Sequence, residues 1–157
     1  MRLTQRASQE KFLNKRKSRR TEIGKMDIKQ LIDQAVEARN KAYTPYSKFN
    51  VGASVLTKNN NVFQGCNIEN ASYGLTNCAE RTAIFKAVSE GENAFEAIAI
   101  VGDTEGPISP CGACRQVMAE FCDENTKIIL ANLKGEYVET SITELLPGFF
   151  SSKDLNK

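Results

Sequence analysis

The sequence predicts an α/β fold, a three-layer α-β-α arrangement in which helices pack on both faces of a mixed sheet of about five strands. Three observations predict it. Segments of helical apolar spacing alternate with short apolar runs, a turn-rich tetrapeptide joins two of those runs, and capping or stopping residues stand at the boundaries. The first helix follows Met26: Ile28, Leu31, Ile32, Ala35, Ala38 and Ala42 recur at helical spacing, and Pro45 forces an end. Val51–Thr57 and Val62–Cys66 read as two strands, and Lys58-Asn59-Asn60-Asn61 between them signals a hairpin. A helix over about Cys78–Val88 comes next, with Asn77 as candidate N-cap and Gly91 as stop. Phe95–Val101 reads as a buried strand; after the loop Gly102–Ser109, Pro110 opens a helix carrying Val117, Met118 and Phe121 on one face. Lys127–Ala131 and Glu136–Glu139 complete the strands, with Gly135 in the turn between them. Ser141 and Glu144 form a capping box for a short last helix, which Pro147 and Gly148 end.

A chain of 157 residues with 41% apolar and 25% charged content suits one core. Nothing in it approaches the ~18–20 consecutive apolar residues of a membrane span, and no apolar h-region follows Met1, so a cytoplasmic protein is expected. The net charge of +2 conceals an asymmetry: residues 1–25 hold nine basic and two acidic residues, a net of +7, which leaves −5 for the rest. After Met1, only Leu3, Phe12, Leu13 and Ile23 are large and apolar there, too few to bury a face. The expectation is a basic, disordered extension over residues 1–25 and a folded domain over residues 26–157. Such an arm suits nucleic-acid contact, an Arg-rich transit segment, or an extension outside the functional chain. The acidic remainder argues against a polyanion path across the domain, so a nucleic-acid partner is not expected.

Five cysteines and no histidine exclude Ser-His-Asp triads, Cys-His dyads and every His-containing zinc site. The odd count argues against a disulfide framework and leaves metal binding or burial. Cys111 and Cys114 have C-x-x-C spacing, which a zinc site and a thioredoxin-like redox pair share. Cys78-Ala79-Glu80, also at a helix start, adds a third sulfur and a carboxylate, and both motifs fall at βα junctions, where active sites of α/β folds gather. Three thiolates at about 2.3 Å fill three positions of a tetrahedral Zn²⁺, and the open fourth is the mark of a catalytic site. Cys66 and Cys122 read as small buried hydrophobes. Were either to complete a four-cysteine set, the site would be closed and the protein a zinc-stabilised interaction module.

The pattern Cys78-Ala79-Glu80, 29 residues, then Pro110-Cys111-Gly112-Ala113-Cys114 resembles the zinc deaminase signature in its three-cysteine form. Tyr46 to Ala53 (YSKFNVGA), Cys66 to Asn70 (CNIEN), Cys78 to Ala83 (CAERTA), Ser109 to Gln116 (SPCGACRQ) and Glu144 to Phe150 (ELLPGFF) extend the likeness over residues 26–157. In order and spacing they resemble the small homotetrameric cytidine deaminases of the cytidine/deoxycytidylate deaminase family. The resemblance implies one Zn²⁺ per subunit on Cys78, Cys111 and Cys114, with Glu80 as catalytic proton shuttle. It places Asn67 and Glu69 on the ribose 3′-hydroxyl and Phe49 and Phe150 around the base. The Ser109 carbonyl and backbone at Ala79 would read the cytosine edge, and Phe150 and Tyr73 would come from neighbouring subunits of a homotetramer with shared sites. A carboxylate and an amide suit a neutral sugar hydroxyl, whereas a phosphate calls for Arg or Lys; this implies nucleosides rather than nucleotides. Three thiolates leave Zn²⁺ with a net charge of about −1, which Arg81 beside the ligands and the helix N-termini would offset; Arg115 reads either as the same or as a surface residue. The implied activity is hydrolytic deamination of cytidine and 2′-deoxycytidine in pyrimidine salvage, with a blasticidin S deaminase as the enzymatic alternative.

Overall fold

The computed structural model describes residues 22–155. Its sheet comprises β3 (Val51–Thr57), β4 (Val62–Cys66), β5 (Phe95–Gly102), β6 (Lys127–Asn132) and β7 (Tyr137–Thr140), in the spatial order β4-β3-β5-β6-β7. Ahead of it, β1 (Glu22–Ile23) and β2 (Met26–Asp27) pair as a short antiparallel ribbon. The helices are α1 (Ile28–Arg39), α2 (Ala79–Ser89), α3 (Gly112–Phe121) and α4 (Ile142–Leu145). β3 runs antiparallel to both β4 and β5, so those two share one direction; β6 is parallel to β5, and β7 antiparallel to β6. The carboxyl ends of β4 and β5 therefore open on one edge, and the helices that follow them, α2 and α3, begin there. The expected mixed five-stranded sheet with helices on both faces is what the chain builds.

Side-chain size along β5 assigns the layers. Ala97, Ala99 and Val101 face α1 together with Leu31, Ala35 and Leu56, while Ile98 and Ile100 face α2 and α3. Small residues let both helices lie close. A Cβ on Gly52 would fall 1.9 Å from the Ala35 carbonyl oxygen, and one on Gly65 2.3 Å from the Ala83 nitrogen and 2.6 Å from the Ala79 oxygen. The first turns of α2 thus rest on the backbone of β4. The buried Ser54 hydroxyl donates to the Leu31 carbonyl at 2.7 Å, so the tight α1 face leaves no polar group unpaired there.

Several boundaries differ from the sequence expectation. The basic extension falls mostly on residues outside those described, but its last residues belong to the fold: Ile23 is 1% exposed in the cluster that holds Leu31, Leu56 and Ile129. A two-residue ribbon turning at Gly24, where φ is +60°, returns one isoleucine to the core, a signal too short for periodicity to register. α1 ends at Arg39; Asn40, Lys41 and Ala42 continue it only as a tightened turn with bonds to residues three back. Its start is a capping box of Asp27 and Gln30, a D-x-x-Q signal not read in the sequence. The N-cap of α2 is Cys78 rather than Asn77, and α3 begins at Gly112, two residues after Pro110, with Cys111 as its N-cap.

Candidate metal centre and active site

Two helix starts bring the sulfurs together. Cys78 and Cys111 are both N-caps in extended backbone, with φ/ψ of −74°/157° and −70°/166°, and Cys114 lies in the first turn of α3. Asn77 is fixed just before Cys78 by two backbone bonds with Ile68, of 2.9 and 3.0 Å, and its side chain donates to the Thr82 hydroxyl at 3.1 Å. The residue expected to cap the helix instead anchors the ligand that does. The three Sγ atoms lie within 4.8 Å of one another, and those of Cys78 and Cys111 are 3.9 Å apart. Zinc–sulfur bonds of about 2.3 Å give a tetrahedral edge of about 3.8 Å, close to the Cys78–Cys111 separation, so this donor set suits zinc. Among the described residues the metal-competent cluster comprises these three cysteines, with Cys66 and Cys122 outside it.

The surroundings set the charge. Hydrogen bonding with Cys114, and then with Arg81, brings the Cys78 thiol down to about 5, while Cys78 and burial push the Cys114 thiol upward. Arg81 Nη2 donates to Cys78 Sγ at 3.3 Å, and its buried Nε has no partner among the described residues. Glu80, 4% exposed, is pushed up to about 6, first by burial and then by the charge of Cys78. The Glu80 carboxyl is thus buried next to the cysteine sulfurs rather than turned to solvent. Arg81→Ala is expected to preserve the fold and lower zinc affinity or kcat/KM by about 10- to 100-fold; metal titration and steady-state kinetics check this, and unchanged values for both would defeat charge compensation.

A second group forms a wall beside the cluster. Asn67 accepts from the Val51 N–H at 2.8 Å through Oδ1 and donates to the Phe49 carbonyl at 2.8 Å through Nδ2. Glu69 Oε1 accepts from the N–H groups of Tyr46 and Ser47 at 3.0 and 3.1 Å, and bonding to Ser47 and Tyr46 holds its carboxyl below the usual range. The two residues expected to meet a sugar therefore also brace the segment carrying Phe49, and each keeps spare hydrogen-bonding capacity on the same group. Phe49 reaches the carboxyl end of β5, where a Cβ on Gly102 would lie 3.4 Å from its Cζ. Tyr73 sits over Tyr46 with ring centroids 5.7 Å apart, and with Glu69 they line a depression of about 260 Å³. Ala79 is fully buried at the start of α2, and its backbone N–H is one of those a helix leaves without an internal partner. The side chains of Tyr73 and Phe150 are largely exposed, 73% and 59%. A depression of about 680 Å³ lies at the carboxyl end of α3 beside Cys122 and Phe149 and holds none of the expected site residues.

The sequence pattern of the cytidine and deoxycytidylate deaminase zinc-binding region matches residues 25–130. This chain belongs to that family. As a member of the cytidine deaminase family it is 57% identical over 131 residues to the cytidine deaminase of Sporosarcina psychrophila, spanning 83% of this chain and 96% of that one. It is 59% identical to the cytidine deaminase of Halalkalibacterium halodurans, spanning 83% and 99%. A crystal structure of cytidine deaminase from Burkholderia pseudomallei superposes with a TM-score of 0.78 at 54% identity, covering 80% of this chain and all of the other. The blasticidin-S deaminase of Bacillus cereus is more distant, 31% identical over 80% of this chain and 92% of its own.

Within this deaminase fold the sequence reading missed three contributors. Gly65 carries the close approach that seats α2, and a lone glycine in a strand was its only sequence signal. Gln116 and Arg115, quoted only as part of a motif or left between two roles, make side-chain bonds taken up below. Cys122 behaves as expected, its thiol pushed up to about 12 by burial, while Cys66 is only half-buried. The double variant Cys66→Ala/Cys122→Ala is expected to keep one zinc per chain by metal analysis; a loss would reinstate a closed, structural site.

Proposed function

We propose that this chain catalyses zinc-dependent hydrolytic deamination of cytidine and 2′-deoxycytidine to uridine and 2′-deoxyuridine, with release of ammonia, in pyrimidine salvage. The observation that carries this reading is the buried Glu80 carboxylate beside three cysteine sulfurs at zinc spacing. Cys78, Cys111 and Cys114 would hold Zn²⁺, which when bound would acidify a water molecule and so supply the nucleophile near neutral pH. Glu80 takes one proton from the attacking water and delivers it to ring N3 as the C4–O bond forms, then carries the remaining C4 hydroxyl proton to the amine as the C4–N bond breaks; water in and ammonia out balance the reaction. Asn67 Nδ2 donates to a sugar hydroxyl and the Glu69 carboxylate accepts from one, Phe49 packs on the base, and the Ser109 carbonyl and the Ala79 N–H register the cytosine edge. A carboxylate and an amide at the proposed sugar position support a nucleoside over a nucleotide.

The exposure of Tyr73 and Phe150, both apolar enough to seek cover, supports a homotetramer in which each reaches a neighbour's site. Five thiols with no disulfide among them support a reducing compartment, the cytoplasm. Among the described residues no helix is long and apolar enough to cross a membrane. Ultraviolet absorbance and ammonia release are measured with cytidine, 2′-deoxycytidine, deoxycytidylate and blasticidin S. Turnover of the two nucleosides is the expected result; turnover of blasticidin S alone, or of none, would defeat the proposal.

A further inference from the structure

We infer that Arg115 and Gln116, the two residues after Cys114, are positioning residues that tie the loop entering the zinc cluster to the segment presenting Phe150. Arg115 Nε donates to the Pro110 carbonyl at 2.9 Å and Nη2 to the Ser109 hydroxyl at 2.7 Å, which fixes the two residues leading into Cys111. From the same guanidinium, Nη1 donates to the Leu145 carbonyl at 2.6 Å, at the last residue of α4. Gln116 Nε2 donates to the Phe150 carbonyl at 2.9 Å. Leu145 to Phe150 is thus held at both ends by consecutive residues of α3. Between those points Pro147 lacks an N–H and Gly148 has φ +66°, so the segment cannot hold itself as helix. Phe149 packs against the core and the next side chain, Phe150, projects outward.

The fork matters because it reaches both sides at once. Three acceptors on two segments are held by one rigid plane, a task that suits a guanidinium and not the single point donor of a lysine. The Ser109–Pro110 peptide, whose carbonyl is proposed to read the cytosine edge, and the direction in which Phe150 leaves the chain are therefore set together. This inference rests on the proposed reading, in which cytidine is the substrate and Phe150 lines a base pocket, and it assigns residues that reading leaves idle.

The test is a double-mutant cycle on the full zinc-loaded chain, with KM, kcat and zinc per chain as readouts. Gln116→Ala is expected to raise KM for cytidine about 3- to 10-fold, the worth of one hydrogen bond, with kcat and zinc unchanged. In a Phe150→Ala background the same change is expected to do nothing further, because its effect passes through Phe150. Arg115→Lys is expected to lower kcat/KM by about 10- to 100-fold with zinc retained. Additive effects of Gln116→Ala and Phe150→Ala, zinc loss in step with activity in Arg115→Lys, or an unchanged KM in both Gln116→Ala and Arg115→Lys would overturn the inference. A wild-type chain that fails to turn over cytidine defeats the underlying reading, and this inference with it, before any variant is made.

Discussion

Glu80→Gln is expected to lower kcat for cytidine by about 10³-fold or more while zinc stays at one per chain and the melting temperature holds or rises. Glutamine keeps the shape and one acceptor oxygen but cannot take up a proton, so it removes the general acid–base contribution, worth about 10² to 10⁴, and little else. Three facts make the separation clean. Glu80 is 4% exposed, so no bulk water substitutes easily for it. It lies outside the sulfur cluster, so its replacement leaves all three candidate zinc ligands in place. Its carboxyl is already pushed up to about 6 by burial, so the ionised form is costly in the folded state and a neutral amide relieves that cost. Stopped assays with zinc analysis and calorimetry on the same preparation check all three quantities. A kcat within tenfold of wild type would remove Glu80 from the reaction.

Gly65→Ala is expected to damage activity and stability together although the substitution adds one methyl group some way from the substrate. The new Cβ would lie 2.3 Å from the Ala83 nitrogen, 2.6 Å from the Ala79 oxygen and 2.9 Å from the Ala83 Cα, all backbone atoms that no side-chain rotation can withdraw. Helix α2 must shift off β4 or the strand must bend. Overpacking of this kind costs about 1–3 kcal/mol. The same shift moves Cys78, Ala79 and Glu80, which occupy the N-cap and first turn of that helix, against Cys111 and Cys114 on another. A misplacement of about 1 Å between reacting groups costs about 10²-fold in rate. Urea unfolding should show the lower stability and steady-state kinetics the loss of kcat under conditions where the variant is fully folded. Wild-type kcat in the folded variant would mean that α2 tolerates the shift without carrying the site with it.

What was legible along the chain and what was not follows from the range over which each signal acts. Helical spacing from Ile28 to Ala38, the hairpin around Asn59 and Asn60, and the capping box at Ser141 are local, so the elements they predict are present in order and the sheet has the expected five strands. The zinc cysteines were legible for the same reason: C-x-x-C and C-x-E are short patterns whose chemistry is written in residue type. The element ends were less so, because Asn77 and Cys78 compete for one cap and only the bridge to Ile68 decides between them. Ile23 was missed because its burial depends on a ribbon of two residues per strand meeting a distant face.

The sequence by itself pointed to the metal chemistry, through five cysteines without a histidine, and to a glutamate two residues beyond the first cysteine of the cluster. Only the tertiary structure decided which cysteines meet, since Cys78 and Cys111 belong to different helices and reach 3.9 Å because β4 and β5 end on the same edge of the sheet. It decided likewise that Asn67 and Glu69, expected on the sugar, also brace the segment carrying Phe49, and that Arg115 reaches the Leu145 carbonyl, 30 residues further along the chain. Residue type fixes what a group can do, but whom it meets depends on strand direction and on packing close enough to exclude a single methyl group.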